Sequence, residues 1–152
     1  MIETKPYNLL KAEYRKIIIS QRLKKSWWLY ALLILLGIYH LQKFGQDSFS
    51  SFFTIFAFIY PCSVFVFLYF WSGSKGHNPI FDETKLAFDT HYFYFERNGN
   101  ESKLNQSTIQ KTITHNSYWL LYISKGQFIY VPKNIFYSGE DYEHFSALIE
   151  PK

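Results

Sequence analysis

Two long apolar runs dominate the first half of the chain and predict membrane-spanning helices. The second run, Phe52–Trp71, is about 20 residues long and carries no charge. At about 1.5 Å per residue, a helix of that length crosses a hydrocarbon core of about 30 Å. A buried helix or sandwich strands are the alternative, but a soluble protein of 152 residues has little room to bury such a run. A transmembrane helix over residues 52–71 is therefore the prediction.

The first run, Trp27–Leu41, is shorter and becomes the partner of the second. Extension to residues 26–44 adds polar ends that can reach the membrane interface. A secretion signal is excluded because the run starts too late and no small-x-small cleavage site follows Leu41. A short connection containing Gly45 joins the two runs. Residues 26–71 therefore predict a transmembrane helical hairpin.

The distribution of charge predicts the orientation of this hairpin. Residues 1–26 contain seven Lys or Arg against two Asp or Glu, whereas the loop between the runs has Lys43 alone as a basic residue. By the positive-inside rule both termini face the cytoplasm. Aromatic and basic side chains near the span ends are predicted at the membrane interface. These interface residues are Lys24, Lys25, Trp27, Trp28 and Trp71.

Residues 1–25 form a basic, amphipathic cytoplasmic segment in this prediction. Leu9, Leu10, Tyr14, Ile17 and Ile18 recur near helical spacing, and no Gly or Pro interrupts the chain from there into the first span. Two interpretations stay open. The helix either binds lipid or a partner, or packs as a stalk on the cytoplasmic domain.

After a linker at Ser72–Pro79, the pattern changes to short alternating stretches that predict strands. Asn98-Gly99 is a hairpin signal between two of them, and Lys125-Gly126 is another turn. Ile109 and Ile113 are predicted on one face of a further strand. The chain yields about six antiparallel strands, which include Lys85–Asp89, His91–Arg97 and Ser117–Ser124.

A C-terminal helix completes the predicted domain. Ser138 is its N-cap candidate, and Tyr142, Phe145, Leu148 and Ile149 form one apolar stripe. This stripe can cover a small antiparallel sheet. Residues 72–152 are thus predicted to be a cytoplasmic α+β domain, a single sheet capped by the helix, that resembles a partial pleckstrin-homology barrel.

Catalytic and metal-binding motifs are missing from the sequence. It has no nucleophile elbow, no HExxH and no phosphate-binding glycine loop. The single cysteine, Cys62, cannot form an intrachain disulfide, and no Cys/His cluster has zinc spacing. Basic charge concentrates before the first apolar run, which argues against nucleic acid as a partner. A non-enzymatic protein without cofactor or metal is expected.

The stretch FIYVPKNIFYSGEDYEHFSALI resembles the C-terminal part of YcxB-like bacterial membrane proteins. The resemblance implies a short N-terminal segment, two adjacent spans and a cytoplasmic strand-rich domain, in the bacterial inner membrane. It assigns a family motif, interpreted as structural, to Ile109, Pro132, Lys133, Phe136 and Phe145.

Two functions remain open. The first is a membrane-anchored module that recruits or regulates a protein partner at the inner membrane, with the lipid bilayer as its other partner. The second is an immunity protein that neutralises a cognate bacterial toxin at that membrane.

Overall fold

The protein is described by a computed structural model over residues 1–149. The chain divides into two compact units. One unit is helical and comprises Leu10–Pro79, and the other combines Met1–Leu9 with the chain from Ile80 onward.

The helical unit is a pair of long helices joined by a short turn. Helix α1 spans Lys11–Leu41 and helix α2 spans Ser48–Ser72, with a 3-10 helix at Lys75–Ile80. Helix α2 continues through Pro61. Within the described residues, α2 is the one helix long and apolar enough to cross a membrane by length and composition.

The first sheet contains four antiparallel strands in the order β1-β2-β3-β4. They are β1 Ile2–Glu3, β2 Thr84–Phe88, β3 Tyr92–Arg97 and β4 Asn100–Asn105. The predicted hairpin between β3 and β4 is confirmed. Asn98 and Gly99 have φ values of 50° and 73°, so both central residues adopt the left-handed conformation that a tight hairpin turn requires.

The second sheet contains three antiparallel strands in the order β5-β6-β7. They are β5 Lys111–Thr114, β6 Tyr118–Ser124 and β7 Gln127–Pro132. Trp119 pairs with Val131, and both side chains lie in the core. Alternation therefore places Leu120 on the opposite face of β6, where it is also buried.

Helix α3, Gly139–Ile149, packs on the core of the strand-rich unit. Its capping is as predicted, because the Asp141 amide donates a hydrogen bond of 3.1 Å to Ser138 Oγ. Phe145 is fully buried and contacts the rings of Phe88, Phe93 and Trp119. The core cluster consists of Leu86, Phe88, Phe93, Trp119, Leu121, Val131, Ile135, Phe136, Phe145 and Ile149.

The predicted α+β class is confirmed, but the single sheet is replaced by two. Gln106–Thr108 forms a 3-10 turn after β4, and Ile109 follows it outside any strand. This irregular stretch interrupts the ladder, so β4 and β5 belong to different sheets. Ile109 therefore does not share a strand with Ile113, although it packs against the core.

The N-terminal segment also differs from its prediction. Residues 1–9 lie with the sheets rather than with the basic helix. Ile2 and Glu3 pair with Phe88 and Ala87, and the buried Thr4 hydroxyl donates a hydrogen bond of 2.9 Å to Leu86 O. These pairings move the observed boundary to about residue 10 instead of residue 25. Residues 150–152 of the predicted 72–152 domain lie outside the described residues.

Candidate functional site

Small residues line the buried face between α1 and α2. A Cβ added at Gly37 would lie 2.7 Å from Ala57 Cβ, which is closer than two carbon atoms can approach. The backbones therefore meet there only because residue 37 lacks a side chain. The buried positions of the two helices other than Tyr14 and Ile17 are Ser26, Gly37, Ser50, Thr54, Ala57, Pro61 and Ser72.

Large apolar residues cover the outside of the same two helices. Leu35 is 64% exposed and Phe70 is 70% exposed. This is the reverse of a water-soluble bundle, in which the apolar stripe faces inward. The exposed set on α2 is Phe49, Phe52, Ile55, Phe56, Phe58, Ile59, Tyr60, Val66, Phe67, Tyr69, Phe70 and Trp71.

The predicted interface residues all lie on the surface of the helical unit. Trp27, Trp28 and Trp71 are exposed, as are Lys24 and Lys25. The two lysines, Trp27 and Trp28 lie within α1, and Trp71 lies in the last turn of α2. Their location at a membrane interface stays a prediction.

A polar chain joins the two helices at their connecting turn. His40 Nδ1 lies 3.1 Å from Ser50 Oγ, and Ser50 Oγ donates a 2.7 Å hydrogen bond to Asp47 Oδ2. Asp47 also N-caps α2, because its carboxylate accepts from the amides of Phe49 and Ser50. The Ser50 hydroxyl and amide hold the pKa of the Asp47 carboxyl below its usual range.

This arrangement does not make a nucleophile. In a catalytic triad the histidine lies between the serine and the acid. Here Ser50 is buried between His40 and Asp47, and its hydroxyl donates its hydrogen bond to the Asp47 carboxylate rather than to the histidine. The chain therefore serves as a polar clasp that fixes the turn. The clasp was not predicted, although the sequence contains a signal for its N-cap, Asp47 followed three residues later by Ser50.

Four of the five family-motif residues lie just before α3 or within it along the chain, and Ile109 packs against the same core. Phe136 and Phe145 belong to the core, and their ring centroids lie 5.2 Å apart. Pro132 ends β7 and is buried. The Lys133 amide donates to Ser117 O at 2.9 Å, and its Nζ lies 4.9 Å from the Trp119 ring centroid. These contacts connect β7, the loop at residues 133–138 and α3. We therefore interpret the motif as structural.

One motif neighbour points outward. Tyr137 is 64% exposed and is the one large apolar side chain of residues 80–149 that lies on the surface. Lys5 Nζ lies 5.7 Å from its ring centroid, and the Lys5 amide donates to Ile135 O at 2.8 Å. We call Lys5 and Tyr137 the Tyr137 patch. It joins the N-terminal segment to the loop at residues 133–138 in one surface, where a cation lies beside an aromatic ring.

Asp89 organises the turn that connects β2 with β3. Its carboxylate accepts hydrogen bonds from the His91 and Tyr92 amides and from the Tyr94 hydroxyl, at 2.8–2.9 Å. These bonds lower the pKa of the Asp89 carboxyl, with the His91 amide as the main cause. Lys103 Nζ lies 3.6 Å from the neighbouring Tyr92 ring centroid. Each of these polar groups has a partner within the cluster. We therefore interpret the cluster as part of the solvent-exposed face of the sheet.

Residues 1–149 contain no group of three or more His, Cys, Asp or Glu side chains that could hold a metal ion. Cys62 is a free, exposed thiol on α2. The features that distinguish this protein are thus an inverted helical pair and the Tyr137 patch on a strand-rich unit.

Comparison with known proteins agrees with the resemblance seen in the sequence. The family model for YcxB-like protein matches residues 88–149. This region begins at the last residue of β2 and ends with α3, so it covers most of the strand-rich unit. No curated protein and no solved structure matches significantly. The resemblance to the YcxB-like family is therefore confirmed, and residues 88–149 are its YcxB-like region.

Proposed function

We propose that the protein is a membrane-anchored binding module, in which a helical hairpin holds a strand-rich domain at the cytoplasmic face of a bacterial inner membrane. One observation carries the anchoring part. The paired helices bury Gly37, Ala57 and Ser50 while exposing side chains such as Phe70 and Leu35. Burying that apolar surface in lipid removes it from water, which gains roughly 25 cal/mol per Å².

Both helices cross the bilayer in this proposal. Helix α1, at about 1.5 Å per residue, extends further than a hydrocarbon core requires. All six Lys and Arg residues of α1 lie in its first 15 residues, which this topology places on the cytoplasmic side of the membrane. The polar clasp of His40, Ser50 and Asp47 then lies at the opposite membrane surface. This topology leaves both termini in the cytoplasm, in accord with the positive-inside rule.

The strand-rich unit is the recognition element. Four strands and three strands form two antiparallel sheets, and α3 packs on their shared core. This composition supports a pleckstrin-homology-like barrel, an architecture whose function resides in surface sites rather than in the fold. We assign protein binding to the Tyr137 patch. An exposed tyrosine beside a lysine suits an acidic, partly apolar segment of a protein partner.

The test is cross-linking in native membranes followed by affinity purification of the full-length protein. Tyr137→Ser should abolish the recovery of a protein partner without lowering the amount of the bait. Tyr39→Ser is the matched control, because Tyr39 is 62% exposed, about the same as Tyr137, but lies on α1. It should leave recovery intact.

Two results would contradict the assignment. Equal recovery with Tyr137→Ser would show that the patch is not the binding surface, and loss with both variants would point to the helices. The identity of the partner separates the two functions predicted from the sequence. A secreted toxin, together with toxin sensitivity of cells that lack the protein, would identify an immunity protein.

A further inference from the structure

Arg15 of α1 packs against the end of α2, beside a glycine that has no side chain to displace it. Its guanidinium carbon lies 4.3 Å from the Tyr69 ring centroid. A Cβ placed on Gly73, the C-cap residue of α2, would lie 2.5 Å from Arg15 Nη2. The guanidinium therefore lies against the backbone at position 73, in the space that the Cβ of any other residue would fill.

The positive charge at this position has no counter-ion within the described part of the chain. No carboxylate forms an ion pair with Arg15, and its Nε atom is buried without a hydrogen-bond partner. A guanidinium is always charged at physiological pH and is usually paired with an anion when it is partly buried. The structure thus holds a cation in position without an anionic side chain as its partner among the described residues.

A purely structural explanation is that Arg15 caps the C-terminal end of α2, whose dipole favours a cation. A capping arginine would donate hydrogen bonds to the terminal carbonyl groups. Residues 1–149 show no such bond from Arg15. The Phe70 and Trp71 carbonyls instead accept from the backbone amides of Gly73 and Ser74. The dipole favours the charge, but none of the described residues accepts a hydrogen bond from the guanidinium.

The surroundings favour an anion. Exposed basic side chains follow Arg15 along α1 at Lys16, Arg22, Lys24 and Lys25. They would raise the local concentration of anionic lipid at a membrane surface. Tyr69 and Trp71 at the end of α2 are residue types that favour the headgroup level. In the proposed topology, this end of the hairpin lies at the cytoplasmic surface.

We propose that Arg15 binds the phosphodiester of an anionic membrane lipid, with Tyr69 and Gly73 holding the guanidinium in place. The planar fork of arginine donates two parallel hydrogen bonds to a phosphate, which a diffuse basic surface does not do. Stacking on Tyr69 fixes the plane of the fork, and Gly73 provides the space. The inference rests on the proposed membrane hairpin and adds a lipid-binding site to it.

The test measures retention of phosphatidylglycerol by the purified full-length protein. The protein is released from mixed nanodiscs of phosphatidylglycerol and phosphatidylcholine, and the retained lipid is identified by native mass spectrometry. We expect Arg15→Gln to lower retention of phosphatidylglycerol about tenfold, the loss of about one charge-assisted interaction. Gly73→Ala keeps every charge but displaces Nη2, and we expect it to lower retention as well.

Arg22→Gln is the matched control, since it removes the same charge from an exposed position of the same helix. Its effect should be smaller and should disappear at high salt, because exposed charges are screened. The Arg15→Gln effect should persist at high salt. Equal losses for Arg15→Gln and Arg22→Gln, or no loss with Gly73→Ala, would overturn the site in favour of diffuse attraction.

A soluble probe separates a lipid from a free phosphate. Glycerol 3-phosphate at millimolar concentration should not displace the retained lipid, and displacement would show a site for soluble phosphates instead. Circular dichroism of each variant should match that of the parent, and a variant that fails this check is replaced by Arg15→Lys, which keeps the charge but loses the fork. We expect Arg15→Lys to lower retention also, and unchanged retention would contradict bidentate binding. Lipid retention is measured without the protein partner, so its failure is distinguishable from failure of the binding function.

Discussion

The two units of this protein differ in which side chains they bury. The strand-rich unit buries large apolar residues, whereas the helical unit buries mainly small residues and exposes large apolar ones. In the strand-rich unit, Phe93 and Phe145 are fully buried, and charged residues such as Lys103 lie outside. In the helical unit, Gly37 and Ala57 are buried while large apolar residues lie outside. The arrangement of the strand-rich unit suits water, and that of the helical unit suits lipid. The mean hydropathy of the chain, −0.13, averages over these two parts and therefore reveals neither of them.

The largest expected effect is the loss of the strand-rich core. Phe145→Ala should leave a cavity that costs about 3–5 kcal/mol. A domain of about 80 residues has roughly 4–12 kcal/mol of stability, so much of the unit should unfold. Limited proteolysis of membrane vesicles should then cleave the strand-rich unit while the hairpin stays protected.

The control for that experiment is Glu143→Ala, which alters an exposed residue of the same helix. It should leave the protease resistance of the parent unchanged. If Phe145→Ala resists protease equally well, the Phe145 side chain does not close the core.

The next effect concerns the seam between α1 and α2. Gly37→Leu should push the helices apart, because even a Cβ overlaps Ala57, and overpacking typically costs about 1–3 kcal/mol. Cysteines at Tyr30 and Phe65, whose ring centroids lie 6.1 Å apart, report the separation in a Cys62→Ser background. Disulfide formation between them should slow markedly in Gly37→Leu.

Ser63→Leu is the corresponding control, since it adds bulk to an exposed position of α2. It should leave the rate of disulfide formation unchanged. Equal rates in the parent and in Gly37→Leu would show that the helices do not meet at residue 37.

A smaller effect is expected from the Asp89 turn. Hydrogen bonds from His91, Tyr94 and Tyr92 lower the folded-state pKa of Asp89. The carboxylate therefore stabilises the fold above its unfolded pKa of about 3.9, and this contribution is lost as the pH falls through the lower folded-state value. Asp89→Ala should lower the thermal midpoint of the strand-rich unit at pH 7. The difference from the parent should shrink in acid, and a difference independent of pH would contradict this cause.

The smallest expected effect is none. Cys62 is exposed on α2, in the surface proposed to face lipid. Cys62→Ala should leave protein abundance and partner recovery unchanged. Loss of partner recovery at normal abundance would contradict the expectation that the Cys62 thiol has no functional role.

Much of the strand-rich unit could be predicted because its signals are local. The Asn98-Gly99 turn, the Ser138 cap and the apolar stripe of α3 each depend on neighbouring residues. The division of the strands into two sheets was not predicted, because alternation predicts strands but not which strands pair with each other. The two-residue strand β1 was missed because it is too short to show a pattern and gains its stability from β2, far along the chain.

The helical unit was predictable in a different way. Apolar length identified both helices, but the burial of Gly37 and Ala57 depends on which faces meet, which neither run shows alone. The clasp of His40, Ser50 and Asp47 joins residues on both helices, so no single element predicts it. The Arg15 contact with Tyr69 and Gly73 was missed for the same reason.

The central claim is that the helical unit crosses the membrane as a hairpin with both termini inside. Its most direct test labels single cysteines in intact cells with a membrane-impermeant maleimide, in a Cys62→Ser background. Ser48→Cys, at the exposed start of α2, should react from outside, whereas Asn100→Cys, on an exposed strand of the other unit, should react only after lysis. Labelling of both positions only after lysis, or of both from outside, would contradict the claim.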